Sequence, residues 1–168
     1  MTATPSQIPE TGLTQPGPRR LGVIGAGQMG GGIAQVAAQR GLQVELCDIS
    51  LEVAQKGKAK LAAGLAKLVE KGKLTAEAQA ETVARITPRG DYAALAECDF
   101  AIEAATENQE LKKKIFAAMD ASLAPGAILA TNTSSISITL LAAATRRPEQ
   151  VIGMHFMNPV PLMSLCEI

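Results

Sequence analysis

Aromatic residues are nearly missing from this 168-residue sequence, which has three Phe, one Tyr and no Trp. That excludes a platform on which nucleobases stack. A surplus of either charge is missing too: 16 Lys and Arg balance 16 Asp and Glu. The balance gives no support for binding nucleic acid or an anionic membrane surface. No apolar run approaches the roughly 20 residues that a membrane-spanning helix needs. The three cysteines, Cys47, Cys98 and Cys166, lack the close spacing of metal ligands. Their odd number and apolar neighbours favour buried, reduced thiols over a structural disulfide, so the expected location is the cytoplasm. The scarcest residue is histidine, with His155 the single copy. Residues 1–19, "MTATPSQIPETGLTQPGPR", hold four prolines and no apolar stretch. They match neither a signal peptide nor a transit peptide, and the expectation is a disordered extension.

What is present is Ala, Leu, Ile and Val in short runs, the composition of helices layered on a buried sheet. From Arg20 onward the pattern alternates. "LGVIGAG" reads as a buried strand. "QMGGGIAQVAAQRG" reads as a helix with Met29, Ile33, Val36 and Ala37 on one face and Gly41 as its terminator. "LQVELCD" is a second strand. Ser50 is a candidate N-cap for a helix carrying Leu61, Leu65, Leu68 and Val69 at helical spacing. "GK" at 72–73 interrupts it, Thr75 caps a second helix, and "ARI" leads into a strand. Six lysines between Lys56 and Lys73 crowd this hairpin, which is longer than a minimal crossover needs. They read first as a solvated helix face. A short helix at "YAALAEC" precedes the strand "DFAIEAA". The next helix, "ENQELKKKIFAAMDASL", sets Leu111, Ile115, Ala118 and Met119 on one side. "PGAILATNTSS" gives a turn and a strand, "ISITLLAAAT" a short helix, and "QVIGMHF" a further strand. The expected fold is α/β, with helices on both faces of a mainly parallel sheet.

Gly25, Gly27 and Gly30 make a G-x-G-x-x-G loop between the first strand and its helix, and Asp48 ends the next strand. This context marks a dinucleotide site on a Rossmann-type, doubly wound sheet. Gly25 permits the tight turn, Gly27 lets the backbone approach a pyrophosphate, and Gly30 lets helix and strand close together. Ala26, Gln28 and Met29 fill the loop, and the helix N-terminus offers free N–H groups to phosphate. The Asp48 carboxylate can accept hydrogen bonds from a ribose diol and would repel a 2′-phosphate. NAD is therefore favoured over NADP.

"GVIGAGQMGGGIAQVAAQRG", "AIEAATEN", "NTSSISIT" and "VIGMHFMNPVPLMSLCEI", in this order, closely resemble the N-terminal domain of the 3-hydroxyacyl-CoA dehydrogenases, nearest the bacterial 3-hydroxybutyryl-CoA branch. The resemblance runs from about Leu21 to Ile168. It implies NAD-dependent oxidation of (S)-3-hydroxyacyl-CoA to 3-ketoacyl-CoA, in fatty-acid or butanoate metabolism. It implies that His155 is the acid/base residue and Glu167 its partner. Chemically, imidazole titrates near neutral pH, and a carboxylate fixes its tautomer. Asn158, Pro159 and Pro161 would turn the chain so that Glu167 returns to His155. Ser134 resembles the serine that bonds the substrate's 3-oxygen. Asn158, Glu107 and Lys112 resemble residues beside the nicotinamide half of the cofactor, and Lys71 a hairpin lysine that meets CoA phosphates. Ser164 departs from the family's "MKLVE" pattern, which has lysine there.

Relatives of this kind continue into a helical domain that makes the dimer and closes over acyl-CoA. The resemblance thus implies a partner domain acting in cis or in trans, and a chain that by itself is monomeric or weakly associated. A strand ending at its glutamate is expected to fray. Two other readings stay open: an NAD-binding module without turnover, and a dehydrogenase of a non-CoA hydroxy acid.

Overall fold

The computed structural model describes residues 19–168. The expected N-terminal extension lies outside the described residues except for Arg19, whose backbone N–H donates to Asp99 Oδ2 at 2.8 Å.

Six short strands form one sheet: β1 (Arg20–Ile24), β2 (Gln43–Cys47), β3 (Ile86–Arg89), β4 (Phe100–Glu103), β5 (Ile128–Thr131) and β6 (Val151–Gly153). Their order is β3-β2-β1-β4-β5-β6, and every pairing is parallel. The order reverses between β1 and β4, which opens a crevice at the carboxyl ends of those strands. The chain crosses back through α1 (Gln28–Gln39), then through the hairpin α2 (Leu51–Glu70) and α3 (Ala76–Ala84), then through α4 (Gln109–Ser122) and the short α5 (Ile138–Ala142). Both expected caps form: Ser50 Oγ accepts from Val53 N–H and Thr75 Oγ1 from Ala78 N–H.

Burial on both faces explains the apolar strands. One core, with Val23, Ile33, Leu46, Leu65 and Ile86, lies under α1 to α3; a second, with Phe116, Met119, Leu129 and Leu141, lies under α4 and α5. Cys47 and Cys98 are buried as expected, whereas Cys166 is only half-buried. Burial pushes the Cys47 and Cys98 thiols up to about 12, so both stay protonated and inert. No helix among the described residues is long and apolar enough to cross a membrane.

Three details differ from the sequence reading. "YAALAEC" is a 3-10 turn, Ala93–Glu97, and α5 is shorter than expected. The buried face of α4 is rotated by one residue. It carries Lys112, Ile115, Phe116 and Met119, and Leu111 is exposed, because Lys112 has buried partners. The single strand expected over 150–156 is two. After β6 the chain leaves the sheet and forms β7 (His155–Phe156), which pairs antiparallel with β8 (Cys166–Glu167). Met154 N–H still donates to Thr131 O at 2.8 Å, but Phe156 N–H turns to the Asn132 side chain at 2.8 Å. That side-chain acceptor takes the place of the next sheet bond, and the main sheet ends there. The terminal strand is paired along both of its residues, and His155 and Glu167 face each other in register.

Candidate active site

One end of the crevice is built from main chain. Gly25 has φ 103°, and a side chain there would meet the Ala104 carbonyl. At Gly30 an added Cβ would lie 1.8 Å from Gly25 O, so only glycine lets α1 start against β1. At Gly27 an added Cβ would meet nothing within 4 Å. The space before that glycine is open, and Gly27 is the N-cap of α1 with no side-chain cap and no acidic residue in the first turn. The helix therefore points uncapped N–H groups into open space, as an anion requires. Asp48 closes this end. Its Oδ2 accepts from Ala26 N–H at 2.6 Å and its Oδ1 from Ile49 N–H at 2.7 Å. The expected carboxylate is thus tied to the loop already, and each oxygen retains a lone pair for a further donor. A cavity of about 350 Å3 lies here, lined by Gly25, Gly27, Asp48, Ile49 and Tyr92.

The other end is built from side chains. A cavity of about 320 Å3 is lined by Met29, Glu107, Lys112, Ser134, His155 and Asn158, among others. It shares Ala104 and Ala105 with the Asp48 cavity, so the two meet across the glycine loop. His155 Nδ1 lies 2.9 Å from Glu167 Oε2, which leaves Nε2 free. With the side chains 28% and 59% exposed, this pair adds little to stability. Ser134 sits in the turn after β5 and lines this cavity and a neighbouring one that also contains Glu167. Gln28 Nε2 donates to Asn158 Oδ1 at 3.0 Å, so its side chain ties the loop to the turn after β7.

Beneath this cavity lies a buried polar network. Glu103 accepts from Lys112 Nζ at 2.6 Å, Ala105 N–H at 2.6 Å and Thr131 Oγ1 at 2.7 Å. Lys112 also meets Glu107 Oε2 at 3.2 Å, and Thr133 donates to Glu107 Oε1. Burial raises the Glu107 carboxyl. The bonds from Thr133 and Lys112 and the Lys112 charge outweigh that and hold it below the usual carboxylate range. Glu103 escaped the sequence reading, since one carboxylate in a strand is unremarkable. The available signal was Lys112 itself, a lysine at helical spacing with Ile115, Phe116 and Met119.

A third cavity of about 200 Å3 lies between α1, α2 and the 158–161 turn, lined by Gly31, Gly32, Gly57, Lys60 and Leu61. The hairpin lysine that lines it is Lys60. Lys71 is the C-cap of α2, exposed and about 16 Å further along the helix axis.

The sheet order, the uncapped glycine loop and two cavities joined across it fit a dinucleotide, and they define this as a dinucleotide-binding domain. Residues 20–168 match the family described as "3-hydroxyacyl-CoA dehydrogenase, NAD binding domain", and the chain belongs to that family. It is 52% identical over 150 residues to the 3-hydroxybutyryl-CoA dehydrogenase of Bradyrhizobium diazoefficiens, covering 89% of this chain and 51% of that protein. It is 49% identical to the 3-hydroxyadipyl-CoA dehydrogenase of Escherichia coli, covering 88% of this chain and 31% of that one. The crystal structure of (S)-3-hydroxybutyryl-CoA dehydrogenase from Ralstonia eutropha superposes with a TM-score of 0.86 at 50% identity, covering 89% of this chain and 53% of that one. The chain thus spans about half the length, or less, of these relatives.

Proposed function

We propose that this chain is the NAD-binding, acid/base half of a cytoplasmic (S)-3-hydroxyacyl-CoA dehydrogenase, acting on substrates such as 3-hydroxybutyryl-CoA. The observation that carries this is the His155–Glu167 pair, in register on one ribbon and facing the cavity that joins the glycine loop. Oxidising a secondary alcohol removes a proton from oxygen as hydride leaves carbon. Glu167 holds Nδ1 as the N–H, so Nε2 is the base that takes that proton, and the carboxylate stabilises the resulting imidazolium. Ser134 has a hydroxyl free for the substrate's 3-oxygen. Asp48 and Gly25 to Gly30 hold the adenosine ribose and pyrophosphate, with NAD preferred over NADP. Glu107, Lys112 and Asn158 line the nicotinamide end. Bound NAD supplies the hydride acceptor. For the CoA phosphates, Lys60 lines the cavity beside the loop, and Lys71 is a second, more distant candidate.

The exposed His155–Glu167 pair needs a further wall to hold substrate dry and aligned, a positioning effect of about 7–11 kcal/mol at best. Alone, the chain is expected to be monomeric or weakly associated and to bind NADH while reducing acetoacetyl-CoA weakly. With the helical C-terminal half of a relative supplied in trans, reduction should rise. NADH oxidation with acetoacetyl-CoA, with and without that half, is the test. No NADH binding at all, or no gain on reconstitution, would refute the reading.

A further inference from the structure

The floor of the His155 cavity carries a surplus negative charge. Two carboxylates, Glu103 and Glu107, share one ammonium, Lys112. Lys112 Nζ lies 2.6 Å from Glu103 and 3.2 Å from Glu107, so the fully buried Glu103 is its main partner. Three donors hold Glu103 and fix it. The surplus therefore falls on Glu107, whose side chain is 43% exposed and lines the cavity. Thr133 and Ser135 hydroxyls hold its Oε1 in place. Besides Glu107 and Lys112, the titratable residue lining this cavity is His155, with Glu167 behind it. While the imidazole is neutral, that pair adds a second negative charge. Lys112 is the cavity's one cation among the described residues that line it.

We infer that Glu107 sets the redox preference of this site, its charge favouring oxidised over reduced nicotinamide. This rests on the proposed dehydrogenase function. The oxidised ring is cationic and the reduced ring neutral, while the two dinucleotides are otherwise nearly alike. A fixed negative charge nearby thus separates their affinities, and contacts to the rest of the molecule cancel in the ratio. For unit charges several ångströms apart at an effective dielectric of about 20 or more, the separation is about three- to thirtyfold. A site so biased favours the reductive direction, from ketone to alcohol.

The test is a pair of titrations, NAD+ and NADH, read by calorimetry on the chain. In Glu107→Gln the ratio Kd(NAD+)/Kd(NADH) should rise about three- to thirtyfold, since glutamine keeps an acceptor for Thr133 while losing the charge. Glu107→Ala, neutral by another route, should shift the ratio in the same direction, and Glu107→Asp should restore it. Glu110→Gln, which removes an exposed carboxylate on α4 paired with Lys113, should leave it unchanged. An unchanged or falling ratio in both neutral variants would overturn the inference, as would an equal shift in Glu110→Gln. Equal weakening of both forms would reduce Glu107 to a neutral contact. Failure of the unmodified chain to bind either form would refute the dehydrogenase reading itself, and this inference with it.

Discussion

The Asp48 end of the crevice is held by main chain, the His155 end by side chains. At the first, carbonyls and N–H groups of Gly25, Ala26 and Cys47 meet at fixed distances, and the single side chain that matters, Asp48, bonds to backbone. At the second, Glu103, Glu107, Lys112, Thr131, Thr133, His155 and Glu167 come from four strands, a helix and two loops. A site made of backbone is intolerant of added atoms. A site made of exposed side chains can lose one and still fold, at the expense of chemistry.

The sharpest way to break this contrast is His155→Ala. Because its ion pair is exposed, the melting temperature should hardly move. Acetoacetyl-CoA reduction in the reconstituted pair should fall by about 10²–10⁴, the usual worth of a general acid/base. Undiminished activity would remove His155 from the chemistry, and unfolding would show that the side-chain end carries structure after all.

Next in size is a pair of glycines on the same loop. Gly30→Ala drives a Cβ into the Gly25 carbonyl and should cost about 3 kcal/mol, the upper range for overpacking. Gly27→Ala meets open space. It should melt close to the unmodified protein yet weaken NADH, because its methyl occupies the phosphate's approach. Thermal melts of both, with NADH titration of the second, check this. Equal stability would mean that the loop relaxes freely.

Asp48→Ala sharpens the contrast from the other side, as the one side chain in a backbone site. Discrimination of NADH from NADPH should drop by about tenfold, roughly 1.4 kcal/mol, when both are titrated by fluorescence. Retained discrimination would assign selectivity to another group.

The smallest effect lies at the opposite end of the strands, where β1 and β4 begin. The Asp99 carboxyl is held low by the Arg19 and then the Arg20 backbone N–H groups. Its folded-state pKa is depressed, so its stabilisation is full above the ordinary carboxylate value and is lost as pH falls through the folded one. Asp99→Asn should flatten the acid limb of the stability curve slightly, by well under 1 kcal/mol at this exposed position. An unchanged limb would show that these bonds carry no net energy.

The same contrast decides what could be read from sequence. The glycine loop, the caps at Ser50 and Thr75, and the break at Gly72 were legible, because each constraint lies within a few residues of the chain. Gly72 indeed has φ 66°. The split of 150–156 was not, since both halves are equally apolar and the exit from the sheet depends on Asn132, 24 residues away. Glu103 was missed and the α4 face misjudged for one reason: an ion pair across nine residues turns a lysine into a buried residue. His155 and Glu167 were named through a family resemblance, and no local pattern would have paired them across twelve positions.

The burial of Lys112 has a practical consequence. Its side chain is 1% exposed, whereas that of Lys56 on α2 is 73% exposed. An amine-reactive label should therefore mark Lys56 at once and reach Lys112 only when α4 lifts from β4. The ratio of the two labelling rates measures the fraction of time the domain spends open at the floor of the His155 cavity. A dinucleotide seated above should slow the Lys112 reaction and leave Lys56 untouched, so a single mass spectrum would follow occupancy and opening together.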